Sequence, residues 1–138
     1  MREGVPQVIH AFGQMWHVEE ALRRVTNRRP ETLTIDETLV EDALFLTGGE
    51  STLGRDLADP ILVIPLPENV FGPDPGQQVM DGWHRIAQAI GEGVRELPAH
   101  FLSSEDERAC RAADEWDSEL VEVFRQSHEP WHAIRSST

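Results

Sequence analysis

Five consecutive residues, Asp81, Gly82, Trp83, His84 and Arg85, bring together groups that hold anions in proteins. A β-prone run precedes them and an amphipathic pattern follows, which predicts a strand that turns directly into a helix. The first N–H groups of a helix lack intrahelical partners, and the helix dipole adds partial positive charge there. An imidazole and a planar guanidinium in that turn add donors suited to phosphate oxygens. The segment therefore predicts an anion site.

The residues of this turn have different expected roles. Gly82 would let the backbone approach a phosphate, and His84 and Arg85 would donate hydrogen bonds to its oxygens. Asp81 cannot bind a phosphate directly, so it would hold His84 or Arg85, cap the helix, or contact a magnesium ion. The alternative interpretation makes Asp81 a helix N-cap and Arg85 an exposed helix residue that binds no ligand.

The surrounding pattern predicts the elements that position this turn. A continuous apolar run at 61–66, bounded by prolines, is typical of a buried strand. A segment rich in proline and glycine at 67–77 predicts a hairpin-like excursion before a strand at 78–80. A helix over 82–90 and a strand over 97–102 would follow, which gives a βαβ-like core.

Flanking helices are predicted on both sides of this core. Apolar residues recur at helical spacing over 12–29, and a helix there would end at Pro30. A capping box of Thr34 and Glu37 predicts a helix over 36–46, with a loop and a short helical turn at 53–58 after it. A second capping box, Ser104 with Glu107, predicts an acidic C-terminal helix over 104–127. The arginines near the end of the first helix favour a dipole-stabilised helix end over an anion site: Arg23, Arg24, Arg28 and Arg29.

The Asp-Gly-x-His-Arg sequence at 81–85, with a Gly turn and a Leu-Pro strand after its helix, resembles the phosphate-binding element of the ParB N-terminal/sulfiredoxin superfamily. The run from Asp59 to Pro65 resembles the strand that precedes this element. The resemblance covers 59–103 and extends more weakly over 33–58, where 33–36 matches an opening strand and turn. It implies a small α/β (α+β) domain with a small mixed sheet and flanking helices. It also implies that the turn binds the phosphates of a nucleotide, ATP or CTP. We expect Mg²⁺ to bridge these phosphates, because an acidic protein needs positive charge to offset their repulsion.

Trp83 departs from the sulfiredoxin pattern, which has a nucleophilic cysteine at this position. Tryptophan cannot attack a phosphoryl group, and Cys110 lies elsewhere, so sulfiredoxin activity is not expected. Other branches hydrolyse CTP or phosphorylate a free amino acid. The resemblance thus implies a nucleotide-binding protein that acts as a hydrolase or phosphotransferase, with no catalytic residue assigned. The alternative is a non-catalytic regulatory or protein-interaction module that keeps the fold.

Composition limits the other possibilities. The 138 residues suit one domain spanning 1–138, and a hydrophobic content of 39% suits a folded core. Twelve basic residues, all arginine, face 25 acidic ones, and this net charge of −13 argues against direct nucleic-acid binding. No apolar run is long enough to span a membrane, and no signal sequence or disulfide framework is present, so the expected location is the cytoplasm.

The sequence His-Glu-Pro-Trp-His at 128–132 matches the zinc-protease pattern His-Glu-x-x-His. That pattern requires one continuous helix that places both histidines on the same face. Pro130 disfavours helix at this point, so we predict no metal site from these residues.

Overall fold

The computed structural model describes residues 8–48, 56–113, 115–127 and 129–136. Its strands are β1 (Val8–Ala11), β2 (Gln14–His17), β3 (Glu31–Thr34), β4 (Ile61–Pro65), β5 (Gln77–Asp81), β6 (Glu96–Phe101) and β7 (Ile134–Ser136). Its helices are α1 (Val18–Val25), α2 (Glu37–Thr47), α3 (Glu68–Phe71), α4 (Trp83–Gly91), α5 (Ser104–Cys110) and α6 (Ser118–Ser127). The predicted α+β class with a small mixed sheet is confirmed.

The main sheet has five strands in the order β5-β4-β6-β3-β7, and β1 and β2 form a separate hairpin. Strands β4 and β6 are parallel, whereas every other neighbouring pair is antiparallel. The predicted strands at 61–66, 78–80 and 97–102 are therefore present. Their predicted βαβ-like arrangement is wrong, because β4 lies between β5 and β6 and these two strands run in opposite directions.

Strand β4 is buried on both faces, as its continuous apolar sequence predicts. Ile61 and Val63 join a cluster that includes buried residues of α2 and α4. Leu62 and Ile64 point the opposite way and join a cluster formed with β2, α1 and α5. The sheet thus has helices on both faces, and α4 is held against one of them.

The predicted helix over 12–29 is wrong in its first half. Residues 12–17 form the turn and second strand of the β1–β2 hairpin, and helix α1 begins only at Val18. Phe12 and Gly13 have positive φ angles of 56° and 77°, which suits a two-residue hairpin turn. Burial then alternates, with Trp16 buried and Met15 and His17 exposed. The apolar residues of this segment predict a helical stripe, whereas in the structure their burial has the period of two of a strand.

The single helix predicted over 104–127 is in fact two helices, α5 and α6. The hairpin interrupts it, since Ala112 N–H donates to the Met15 carbonyl and Asp117 N–H donates to the Phe12 carbonyl, each at 2.8 Å. The capping box begins one residue earlier than predicted, at Ser103 with Asp106. Backbone groups that would continue the helix are used by the hairpin.

Helix α2 matches the prediction over 36–46, but its cap and one face do not. Asp36 is the N-cap, and its Oδ1 accepts a hydrogen bond from Leu39 N, whereas Thr34 belongs to β3. The apolar pattern of this helix predicts inward positions for Val40 and Leu44 and also for Leu39 and Phe45. Leu39 is buried, but Leu44 and Phe45 are 45% and 85% exposed. The excursion at 67–77 contains the one-turn helix α3. The predicted turn at 53–58 lies partly outside the described residues.

Candidate functional site

The predicted strand-to-helix turn is present, since β5 ends at Asp81 and α4 begins at Trp83. Gly82 between them has a φ of 123°, which L side chains rarely adopt. A Cβ at Gly82 would lie 2.4 Å from Ile61 Cδ1. The turn therefore needs glycine for its own backbone path and for its close packing on β4.

Arg85 is buried beneath this turn, with 5% of its surface exposed. Its Nη1 donates to the carbonyl oxygens of Asp59 and Pro60, at 2.5 and 2.9 Å, and its Nη2 donates to Asp81 Oδ2 at 2.9 Å. The Asp59 carboxylate lies 3.2 Å from the same Nη1. The guanidinium thus ties the start of β4 to the end of β5. Of the roles expected for Asp81, the structure shows the one in which it holds Arg85.

The alternative interpretation of this turn is wrong about where Asp81 and Arg85 lie. Gly82, and not Asp81, is the N-cap of α4, and Arg85 is buried instead of exposed. The turn is nevertheless not rich in positive charge, because the carboxylates of Asp59 and Asp81 both contact one guanidinium. A bare phosphate would meet a local charge of about −1, which opposes binding.

Trp83 and His84 are the members of the turn that face a cavity. His84 is exposed, whereas Trp83 is half-buried and packs against the core cluster of α2 and α4. Both line a cavity of about 360 Å³ beside the outer strand β5. Its remaining wall comes from β1, β2, β4, β5 and the end of α2, through Ala11, Trp16, Leu46, Thr47, Ile64, Gln78, Val79 and Met80. The structure thus brings the five predicted residues together and divides them into two groups.

A cavity of about 630 Å³ lies where the parallel strands β4 and β6 end. Its wall includes Arg108, Arg111 and Glu107. Glu107 is 1% exposed and accepts hydrogen bonds from Trp16 Nε1 at 2.7 Å and from Arg111 Nε at 2.8 Å. Sequence analysis missed this buried ion pair, although its i, i+4 spacing on a helix is a recognisable signal.

The arginines of α1 and of the turn after it pair with acidic side chains of the protein. Arg23 and Arg24 pair with Glu20, and Arg28 Nη1 donates to Asp106 Oδ2 at 2.7 Å. The pKa of Asp106 is lowered to about 2, mainly by this hydrogen bond and further by those from Ser103. This network joins α1 to the capping box of α5.

Cys110 is buried in the cluster of α1 and α5 and has no reactive environment. Burial raises the pKa of its thiol to about 11, so the thiolate is scarce at neutral pH. Burial also lowers the pKa of His100, with a further contribution from the charge of Arg28. Neither residue lies in the β5–α4 turn.

Within the described ranges, no three His, Cys, Asp or Glu side chains converge to hold a metal ion. Residues 129–133 are not helical, so the zinc-protease pattern lacks the helix that it requires, and His128 lies outside the described residues. No described helix is long and apolar enough to cross a membrane. Comparison of the chain with protein-family models, curated proteins and solved structures gives no match.

Proposed function

We propose that this chain is a nucleotide-binding domain whose β5–α4 turn holds the phosphates of ATP or CTP. One observation carries the proposal: α4 starts at a glycine, directly after a strand, with an exposed His84 beside a cavity of about 360 Å³. A helix N-terminus and an imidazole are suitable phosphate donors, and the cavity offers room next to them.

The residues of the turn would divide the work of binding. His84 and the first N–H groups of α4 would donate to phosphate oxygens, while Gly82 leaves the backbone accessible. Arg85 would act mainly by fixing the turn, because its guanidinium already has three hydrogen-bond acceptors inside the protein. Trp83 would provide an aromatic surface for the base at the cavity wall.

Magnesium is expected to accompany the nucleotide. The carboxylates of Asp59 and Asp81 are hard oxygen ligands near the turn, and Mg²⁺ is typically held by one or two carboxylates together with substrate phosphates. The ion would supply positive charge where these carboxylates oppose the phosphates. Hydrolysis or phosphoryl transfer is the reaction class that we propose to test, with no catalytic base assigned.

A non-catalytic interaction module is the second candidate. The observation in its favour is the exposed apolar end of α2, where Leu44, Phe45 and Leu46 are 45%, 85% and 55% exposed. Apolar side chains that adjoin one another on a surface are typical of contacts with other proteins. This candidate predicts a stable protein partner and no nucleotide turnover.

Thermal unfolding with ATP, CTP, GTP or ADP, each with and without Mg²⁺, tests nucleotide binding. A ligand at about 100 times its dissociation constant adds ~2.7 kcal/mol, which raises the midpoint by on the order of 10 °C. We expect a nucleotide-selective rise that His84→Ala reduces. The control is His17→Ala, which removes another exposed histidine at the start of a helix.

Two results would contradict the phosphate site: no rise with any nucleotide at millimolar concentration, or an equal rise in wild type and His84→Ala. Phosphate release then separates the two candidates. Turnover by the wild type that His84→Ala reduces supports an enzyme. Binding without turnover, together with a stable protein partner, supports the module.

A further inference from the structure

The exposed face of helix α2 is acidic in its first half and apolar at its end. Leu44, Phe45 and Leu46 form the apolar end, and all three side chains are exposed. Glu37 and Glu41 are also exposed, and they precede Phe45 by two turns and one turn of the helix. Helical spacing therefore places both carboxylates in line with the ring of Phe45. Negative charge and apolar surface lie side by side over about 12 Å of one helix face.

The apolar end of α2 continues into the cavity of about 360 Å³ beside β5. Leu46 belongs to both, since it is exposed at the surface and also lines the cavity. Other apolar side chains form much of the remaining wall, among them Met80 and Trp83. An apolar side chain of a partner could enter this cavity while its neighbours cover Phe45. A pocket that receives an anchor residue, with apolar contacts around it, is typical of the energetically dominant part of a protein interface.

The carboxylates of this face are available to an outside charge. Within the described part of the chain, Glu37 and Glu41 make no ion pair, whereas Glu20, Glu31 and Glu122 each pair with an arginine. A second copy of the chain is a poor occupant, because it brings a further net charge of −13 to the contact. Two α2 helices would also place carboxylates against carboxylates or against apolar side chains, and both arrangements oppose binding.

A basic amphipathic helix is complementary to both halves of this face. Its apolar side would cover Leu44 and Phe45 and place one side chain in the cavity. Arginine or lysine side chains near one of its ends would lie beside Glu37 and Glu41, which fixes the direction of the helix on α2. The acidic and apolar positions of α2 are separated by whole helical turns, so a second helix packed alongside meets them in register.

We infer that the exposed face of α2 and the adjoining cavity form a docking surface for a basic amphipathic helix of a partner protein. The inference rests on the interaction role proposed above for the apolar end of α2, and it names the chemistry of the partner. It holds whether or not the β5–α4 turn binds a nucleotide. A nucleotide in the same cavity would compete with the helix, so the helix is titrated without nucleotide.

The probe is a synthetic amphipathic helix of about 18 residues, with leucine along one side and lysine on the others. One control peptide has glutamate in place of every lysine, and a second contains the residues of the probe in an order that gives no apolar side. Fluorescence anisotropy of labelled peptides measures affinity, and ¹⁵N–¹H spectra of the chain locate the contact. We expect the probe to bind with a dissociation constant on the order of 100 µM and at least about tenfold tighter than either control. The backbone amide signals of residues 44–47 should shift.

Two variants, each with a matched control, test the surface itself. Phe45→Ser removes the aromatic ring and should weaken binding at least about tenfold, whereas Val123→Ser, at an exposed position of α6, should leave it unchanged. Glu41→Gln should weaken binding about two- to threefold. Glu119→Gln removes the same charge from the exposed surface of α6 and should have almost no effect. The same spectra report whether each variant is folded.

The outcomes separate the chemistry of the partner from the interaction role and from nucleotide binding. Equal or tighter binding of the glutamate peptide overturns the basic partner but leaves an interaction surface on α2. Absence of binding by all three peptides at about 1 mM, or unchanged affinity in Phe45→Ser, refutes the docking surface whatever the nucleotide titrations give. Sedimentation velocity tests the remaining occupant: dimers of the wild type that Phe45→Ser abolishes would identify a second copy and would also overturn the inference.

Discussion

Replacement of Arg85 by alanine should destabilise the whole domain. The side chain is 6% exposed and donates three hydrogen bonds, two of them to the carbonyl oxygens of Asp59 and Pro60 and one to Asp81. Removing one partner of a buried ion pair costs about 3–5 kcal/mol. Because the Asp59 side chain is 48% exposed and water can solvate it, we expect a smaller loss of about 2–4 kcal/mol.

Equilibrium unfolding in urea, followed by tryptophan fluorescence, measures this loss. Arg85→Ala should lower the midpoint without a large change in slope, since the surface exposed on unfolding stays similar. Arg29→Ala is the control: Arg29 is exposed, and its loss should change stability by less than about 0.5 kcal/mol. Arg85→Lys keeps the charge but loses the planar fork, so its effect should lie between the two.

This prediction also decides how Arg85 variants are interpreted in binding assays. If Arg85→Ala lies within about 1 kcal/mol of the wild type, the internal role of the guanidinium is refuted. If that variant is stable and also loses nucleotide binding, Arg85 contacts the ligand directly. If it is destabilised as expected, a loss of nucleotide binding says little about contact, and His84→Ala is the informative variant.

Three further predictions concern stability and reactivity. The folded pKa of Asp106 is about 2, against a usual 3.8. Its carboxylate therefore contributes about 1–2 kcal/mol to the free energy of unfolding above pH 4, and this contribution is lost as the pH falls toward 2. The difference in melting temperature between wild type and Asp106→Asn should shrink over that range. Gly82→Ala places a Cβ 2.4 Å from Ile61 Cδ1 at a φ of 123°. This substitution should lower the free energy of unfolding, measured in urea, by at least about 2 kcal/mol. Gly93→Ala is the control, because nothing lies within 4 Å of its Cβ, and it should lower that free energy by about 1 kcal/mol. Cys110, with a pKa of about 11, should not react with Ellman's reagent at neutral pH until the chain unfolds, and rapid labelling of the folded chain would contradict its burial.

The central part of the fold was predictable because its signals are local. A continuous apolar run makes β4 buried on both faces, and a glycine between a β-prone run and an amphipathic pattern marks the start of α4. The order of the strands was not predictable in this way. It depends on β4 inserting between β5 and β6, which no local pattern specifies.

The errors at both ends share a single cause. Residues 12–17 contact residues 111–113 and 115–117, and each segment determines the structure of the other. Gln14 Nε2, which donates to the Glu115 carbonyl at 2.9 Å, is part of this contact between residues 101 positions apart in sequence. Helical periodicity was found in both segments because apolar residues recur there, but hydrogen bonds between the segments favour a hairpin and a helix break.

The same limit applies to the candidate site. The i, i+4 spacing of Asp81 and Arg85 made their ion pair foreseeable, and it was one of the roles expected for Asp81. The carbonyl oxygens of Asp59 and Pro60 were not foreseeable as partners, because these residues lie 26 and 25 positions before Arg85 in the sequence. The five-residue motif therefore predicted the turn correctly. It did not predict that the guanidinium of Arg85 donates three hydrogen bonds to groups inside the protein.

The internal contacts of Arg85 give the proposed nucleotide site a specific requirement. A guanidinium has five N–H groups, and the described partners of Arg85 take three of them. A phosphate would find at most two donors left there, beside two carboxylates whose negative charge exceeds the positive charge of the guanidinium. Phosphate binding must then draw most of its favourable charge from elsewhere, and Mg²⁺ is the available source. Nucleotide binding at this turn should therefore be much weaker without magnesium, and equal affinity without it would mean that Arg85 has exchanged its internal partners for the ligand.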